Sequence, residues 1–168
     1  MKSIKALVII ATLMLIYGCK DSTTNSQASQ NYDMKLTFNG ANYNHQTFNM
    51  NALIGYATYD TLNHHALIKF IGNSIPGEIE ITLAERYSGT YMWNVGSRVN
   101  ISMESYPPVS QSNQWHSISV EDGATHIVSF GNIGDDVRGM FDGKFVNDQH
   151  PQLDTISISG YFTVTRTN

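Results

Sequence analysis

Apolar and polar residues alternate with a period of two along most of the chain after residue 32. The clearest case is the last segment, where Ile156, Ile158, Phe162 and Val164 fall on one face and hydroxyl residues, including Tyr161, fall on the other. This period is typical of an antiparallel strand with one buried face. The chain therefore ends in a predicted β-strand over residues 156–166.

The segment before it, residues 136–145, alternates in the same way. Val137, Phe141 and Phe145 occupy one phase with glycines between them, and the opposite phase is mainly charged. A polar loop over residues 147–154 separates the two segments, so they are predicted to form a β-hairpin.

Shorter alternating segments precede this hairpin, and turn-forming residues lie between them, among them Asn39-Gly40, Pro76-Gly77 and Asp122-Gly123. The further predicted strands are residues 34–38, 42–48, 53–59, 66–71, 79–83, 91–95, 99–105, 116–120 and 125–130. Many short strands at close spacing predict an all-β fold, an antiparallel β-sandwich. The alternative is an up-and-down or lipocalin-like β-barrel.

The first residues follow a different pattern. Lys2 and Lys5 precede an apolar run over residues 6–17, the order of a secretory signal. A membrane-spanning helix needs about 20 apolar residues, and this run is shorter. We therefore expect residues 1–18 to be a cleaved signal peptide.

The four residues Ile16-Tyr17-Gly18-Cys19 resemble a bacterial lipobox, although Tyr17 stands where that motif has a small residue. The resemblance implies diacylglyceryl transfer to the Cys19 thiol, cleavage after Gly18, and acylation of the new amino terminus. Three acyl chains would anchor the protein stably in a bilayer. The alternative is a free or buried thiol. Because Cys19 is the single cysteine, no internal disulfide can form.

Residues 19–31 follow as the lipidated cysteine and a polar tether, rich in Ser, Thr, Asn and Gln. Residues 32–168 then form one predicted β-domain, long enough to bury a core.

The whole arrangement resembles small Bacteroidota lipoproteins of unknown function, in which a lipobox and a polar tether lead into one β-sandwich-like domain. The likeness is carried by Phe38-Asn39-Gly40, Gly89-Thr90-Tyr91, the segment 137–143 and the segment 158–162. It implies a fold and a place at the bacterial outer membrane, on its periplasmic or its cell-surface side. It implies no activity, since these are framework residues.

Charge narrows the choice of partners. Without residues 1–18 the chain has eight basic and fourteen acidic side chains, a formal net charge of −6. The basic residues after Lys20 are scattered singly, so no patch suited to a phosphate backbone is present, and nucleic-acid binding is disfavoured.

Chemical motifs are scarce. The six histidines include one adjacent pair, His64-His65, within a predicted turn, and neither a zinc-binding pattern nor an EF-hand loop occurs. No serine lies in a nucleophile motif, and no glycine-rich cofactor loop occurs. We therefore predict no catalytic residue, no metal and no cofactor.

Aromatic residues are the better candidates for binding. Trp115 is out of phase with Ile118 and Val120 and lies near Tyr106, which makes both residues candidates for an exposed aromatic platform that could stack on a sugar or a peptide. The favoured alternative is that Trp115 caps one end of the core, because large aromatic side chains are usually mostly buried.

The sequence thus favours a non-catalytic, lipid-anchored envelope protein that binds a glycan, a peptide or a protein partner. Two other hypotheses stay open. One is a small lipid-anchored hydrolase whose Ser, His and Asp residues or paired carboxylates converge only in space. The other is a closed barrel that holds an apolar ligand.

Overall fold

The computed structural model describes residues 32–40, 43–50, 52–73, 75–94, 96–104, 114–117, 122–147 and 155–168. Every regular element in these ranges is a β-strand. The strands are β1 (Tyr32–Gly40), β2 (Tyr43–Asn49), β3 (Ala52–Asp60), β4 (His65–Gly72), β5 (Glu78–Leu83), β6 (Gly89–Met92), β7 (Arg98–Ser102), β8 (Gln114–Ser117), β9 (Gly123–Phe130), β10 (Asp136–Asn147) and β11 (Thr155–Thr165).

The strands form one antiparallel sheet in the order β2-β1-β11-β10-β8-β7-β5-β4-β3. The long strand β10 pairs with β11 along one edge. Its other edge pairs with two strands, β9 and β8. Its residues 137–143 pair with β9, and its residues 145–147 pair with β8. Strand β6 extends this branch by pairing with β9.

The predicted hairpin of the last two strands is confirmed. Strands β10 and β11 pair without a break from Asp136↔Thr165 to Val146↔Thr155. Burial alternates along both strands, and Ile156, Ile158 and Phe162 lie in the core as predicted. The period of two therefore identified the buried face of both strands.

The sheet curls until its edge strand β3 approaches β11 and β1. The backbone N–H of Thr167, just after β11, donates to the carbonyl of Ala57 in β3 at 2.9 Å. The Tyr32 hydroxyl of β1 donates to the Leu53 carbonyl of β3 at 3.0 Å. The predicted all-β antiparallel fold is confirmed. The curled sheet forms a half-barrel that is consistent with a sandwich or a barrel.

Large side chains fill the space inside the curl. The largest completely buried ones are Trp93, Phe38, Phe70, Phe141, Phe145 and Phe162. The Trp93 ring packs edge-on against Phe145, with ring centroids 5.0 Å apart. An interior filled in this way weighs against a barrel that holds an apolar ligand.

Several strands begin earlier than their patterns predict, and β6 and β8 show the reason. Strand β6 covers Gly89–Met92 rather than residues 91–95, because Gly89 and Thr90 pair with Ile127 and His126 of β9. Strand β8 covers Gln114–Ser117, whereas the pattern predicts residues 116–120; residues 118–120 lie outside the described ranges. Both shifts come from pairing with strands that are distant in the sequence.

The described ranges contain no helix that is long and apolar enough to cross a bilayer. Residues 1–31, which comprise the predicted signal peptide, Cys19 and the predicted tether, lie outside these ranges.

Candidate functional site

The structure removes Trp115 as a candidate for an exposed binding platform and supports the alternative of a core position. The Trp115 side chain is only 5% exposed. Trp115 pairs with Ile101 of β7, which is itself buried, so both side chains lie on the core face of the sheet. The ring also meets Tyr43 edge-on at 6.4 Å between centroids. Trp115 is therefore part of the core, as the alternative had it. Tyr106 lies outside the described residues.

The outer surface of β1, β11 and β10 has the polar character of a binding face. Thr37 of β1 stands opposite Ser159 of β11, which stands opposite Asp142 of β10. All three side chains point away from the core, since their chain neighbours Phe38, Ile158 and Phe141 are buried. Three strands from distant parts of the sequence thus align hydroxyl and carboxylate groups in one row.

A second row runs beside the first. Asn39 of β1 pairs with Ser157 of β11, which pairs with Lys144 of β10. The two rows line a shallow depression of about 420 Å³, which we name the serine–aspartate depression. Ligand clefts begin at about 300 Å³, so it is large enough for a small ligand or for one or two units of a polymer. The side chains that matter below are those of Thr37, Asn39, Asp142, Lys144, Ser157 and Ser159.

An exposed aromatic side chain lies next to this depression. Tyr161 follows Ser159 by two residues on the outer face of β11, and its side chain is 48% exposed. Met140, its partner on β10, is exposed to the same extent. A half-exposed tyrosine beside a half-exposed methionine gives the polar face one apolar platform.

Charge at the rim of the depression is balanced by one ion pair. The Lys144 ammonium lies 3.1 Å from the Asp122 carboxylate, and both side chains are partly exposed. Such a surface pair contributes little stability. The Asp142 side chain is 71% exposed and lies 3.9 Å from the His126 ring. Its carboxylate is therefore open to ligand hydroxyl groups.

His126 forms the arrangement nearest to a hydrolytic triad in the described part of the chain. The Thr90 hydroxyl lies 2.9 Å from Nδ1 of His126, and Asp142 Oδ1 lies 3.9 Å from Nε2. The three residues stand on β6, β9 and β10, on the outside of the sheet. Because β9 is paired on both sides, its N–H groups serve its neighbours and form no oxyanion hole here. Hydroxyl, imidazole and carboxylate groups thus come together on an exposed part of the sheet surface.

Of the histidine pair predicted to lie in a turn, His64 does so, whereas His65 is the first residue of β4. His64 ends the turn between β3 and β4 and is exposed, with a positive φ of 54°. Its Nδ1 lies 3.2 Å from the Tyr59 hydroxyl. Within the described ranges, no three His, Cys, Asp or Glu side chains come close enough to hold a metal ion.

The sequence contains a signal for the exposure of Tyr161. Tyr161 is an aromatic residue in the polar phase of a strand, where an exposed ring is expected. Trp115, in contrast, is out of phase with the residues that follow its strand.

No protein-family model matches this chain, and no curated protein matches it.

Proposed function

We propose that this chain is a lipid-anchored protein of a bacterial envelope and that its β-domain binds a glycan without transforming it. The single observation that carries the binding proposal is the position of Tyr161. The half-exposed Tyr161 side chain stands two residues along the same face of β11 from Ser159, which lines a depression of hydroxyl, amide and carboxylate groups.

The chemistry of the depression suits a sugar. Each sugar hydroxyl needs both a donor and an acceptor, and serine hydroxyls and the Asn39 amide supply both. Asp142 supplies acceptors and Lys144 supplies donors. The Tyr161 ring supplies an apolar surface for the C–H face of a pyranose ring.

The shape supports binding to a long or surface-borne glycan. The depression is open along the sheet rather than enclosed, so a polymer could pass across β1, β11 and β10. A shallow site with few apolar contacts favours modest affinity per unit, which repeated units raise through multivalency.

The anchoring half of the proposal rests on the sequence. The order of Lys2, Lys5, the apolar run and Gly18-Cys19 supports lipidation at Cys19. The resemblance to Bacteroidota lipoproteins supports the outer membrane as the location. A glycan ligand fits either side of that membrane, because the periplasm contains peptidoglycan and the cell surface meets foreign polysaccharides.

The test is a glycan array probed with the full chain in detergent micelles, followed by titration of any glycan that binds. We expect Tyr161→Ala to weaken binding about tenfold or more, equal to about 1.4 kcal/mol or more. Tyr161→Phe keeps the ring and should keep most of the affinity. Tyr87→Ala is the matched control, since it removes another exposed tyrosine away from this face.

Two results would count against the proposal. One is unchanged binding by a folded Tyr161→Ala protein. The other is release of shortened glycan during incubation, abolished by His126→Ala or Asp142→Asn, which would favour the hydrolase hypothesis and the Thr90–His126–Asp142 arrangement.

A further inference from the structure

A second depression lies on the outer surface of β5, β7 and β8, away from the serine–aspartate depression. Glu80 pairs with Asn100, which pairs with His116. The adjacent row is Glu78, Ser102 and Gln114. These side chains line a hollow of about 320 Å³, which we name the glutamate depression.

The charge of the glutamate depression is only partly balanced. The Lys69 ammonium of β4 lies 2.9 Å from Glu78 and 3.7 Å from Glu80. The first distance is a hydrogen bond, and the second is too long for one. One ammonium thus serves two carboxylates, and Glu80 keeps acceptor sites for another cation.

The Lys69 side chain is protonated and carries a positive charge. Partial burial lowers its pKa, but the hydrogen bond that Lys69 donates to Glu78 and the charges of Glu78 and Glu80 outweigh burial, so the pKa of Lys69 is raised. Lys69, Glu78 and Glu80 together therefore carry one net negative charge.

Ser102 is an independent sign of a missing partner. Its side chain lies on the outer face of β7, because Ile101 before it is in the core. The residue is only 7% exposed, yet its hydroxyl oxygen is buried and makes no hydrogen bond in the described structure. Buried hydroxyl groups nearly always have a partner. Here the unpaired hydroxyl lines the same depression as the incompletely paired Glu80.

We propose that the glutamate depression binds a protonated primary amine. Such a group has three N–H donors and one positive charge. Glu80 supplies the opposite charge, while the Ser102 hydroxyl and the Asn100 amide oxygen supply neutral acceptors. Glu80 pairs with Asn100, and Ser102 follows Asn100 by two residues on the same face of β7, so all three side chains line one depression. This site is separate from the glycan face, and each can fail without the other.

The experiment titrates the full chain in detergent with 1,4-diaminobutane, and follows heat and backbone amide shifts. Butane-1,4-diol has the same length without charge and is the matched control ligand. We expect the diamine alone to bind, to shift the amides of residues 78–80 and 100–102, and to weaken as salt is added. Nα-acetyl-lysine amide and O-phosphoethanolamine then distinguish a peptide-borne amine from a lipid headgroup.

Variants decide whether the named residues form the site. Glu80→Gln leaves the Lys69–Glu78 pair in place and should weaken diamine binding about tenfold or more. Ser102→Ala removes a hydroxyl that has no partner, so we expect unchanged or higher thermal stability together with weaker binding. Asp33→Asn is the charge-matched control on β1 and should bind as the parent does.

The proposal is overturned by any of three results. These are no diamine binding at millimolar concentration, equal binding by the diol, or amide shifts confined to residues outside the glutamate depression. Calcium binding without amine binding would overturn it as well, in favour of a metal site.

Discussion

The indole N–H of Trp93 donates a hydrogen bond to the Thr125 hydroxyl across 3.0 Å, and both side chains are completely buried. Trp93 follows β6, and Thr125 belongs to β9. The bond therefore joins the end of β6 to β9, the two strands that carry Thr90 and His126. A buried indole N–H without an acceptor is costly, so this pair is specific as well as stabilising.

Removing the acceptor tests this bond. Thr125→Val keeps the shape but leaves the Trp93 N–H unpaired, and we expect a loss of about 1–3 kcal/mol in the free energy of unfolding. Urea unfolding followed by tryptophan fluorescence measures it. Thr125→Ser keeps the hydroxyl and should lose less than the valine variant; equal losses would mean that packing, not the hydrogen bond, matters at this position.

A close approach of backbone and ring predicts a second stability effect. Gly123 and Gly143 face each other on β9 and β10, and the Trp93 ring lies over both. A Cβ atom added at Gly123 would lie 2.4 Å from the ring and 2.7 Å from the Asp142 carbonyl oxygen. Both distances are too short, so the ring or the strand must move.

We expect Gly123→Ala to lower the free energy of unfolding by about 1–3 kcal/mol, the usual cost of overpacking a core. Thermal melting followed by circular dichroism is the measurement. Gly96→Ala is the control, because its added Cβ would meet only Ala84 and Asn94, at 3.4 Å or more. A Gly123→Ala protein as stable as the parent would show that the Trp93 ring can move to accept an added methyl group at Gly123.

The fold was largely predictable because alternation is a local property. The faces of β10 and β11 follow from their residues alone, and the core positions Val137 and Phe162 were identified in this way. Trp115 was considered for an exposed position because the face on which it lies depends on pairing with Ile101, and the sequence does not place Ile101 opposite it. The serine–aspartate depression depends on the neighbours Thr37, Ser159 and Asp142, whose contact requires the order β1-β11-β10. No local pattern contains that order.

A third prediction concerns the turn between β3 and β4. The Asp60 carboxylate accepts hydrogen bonds from the Asn63 side-chain amide at 2.6 Å and from the Leu62 backbone at 2.8 Å. These bonds favour the charged form, with the Asn63 side chain the largest cause, so the pKa of Asp60 lies below its usual value. Because folding lowers this pKa, the carboxylate stabilises the fold above its unfolded-state pKa, and that contribution is lost as the pH falls through the folded pKa.

Asn63→Ala removes the largest of these causes. We expect the pKa of Asp60 to rise toward its usual value yet stay below it, since the Leu62 N–H still donates. Carboxyl-carbon NMR titration of Asp60 measures the change. Asn49→Ala, an exposed asparagine on β2, serves as the control. An unchanged Asp60 titration in Asn63→Ala would assign the lowered pKa to the backbone bonds alone.

The last prediction concerns the anchor. If Cys19 carries acyl chains, Cys19→Ser removes the attachment site, and we expect the protein to leave the membrane fraction. Mass spectrometry of the amino-terminal peptide of the parent protein should show a modified Cys19 as its first residue. Ser22→Ala, a change in the polar tether, should leave the protein in the membrane fraction. A Cys19→Ser protein that still sediments with membranes would contradict lipid anchoring.

Proteinase treatment of intact cells then shows on which side of the outer membrane the domain lies, because a domain on the cell surface is degraded and a periplasmic domain is protected.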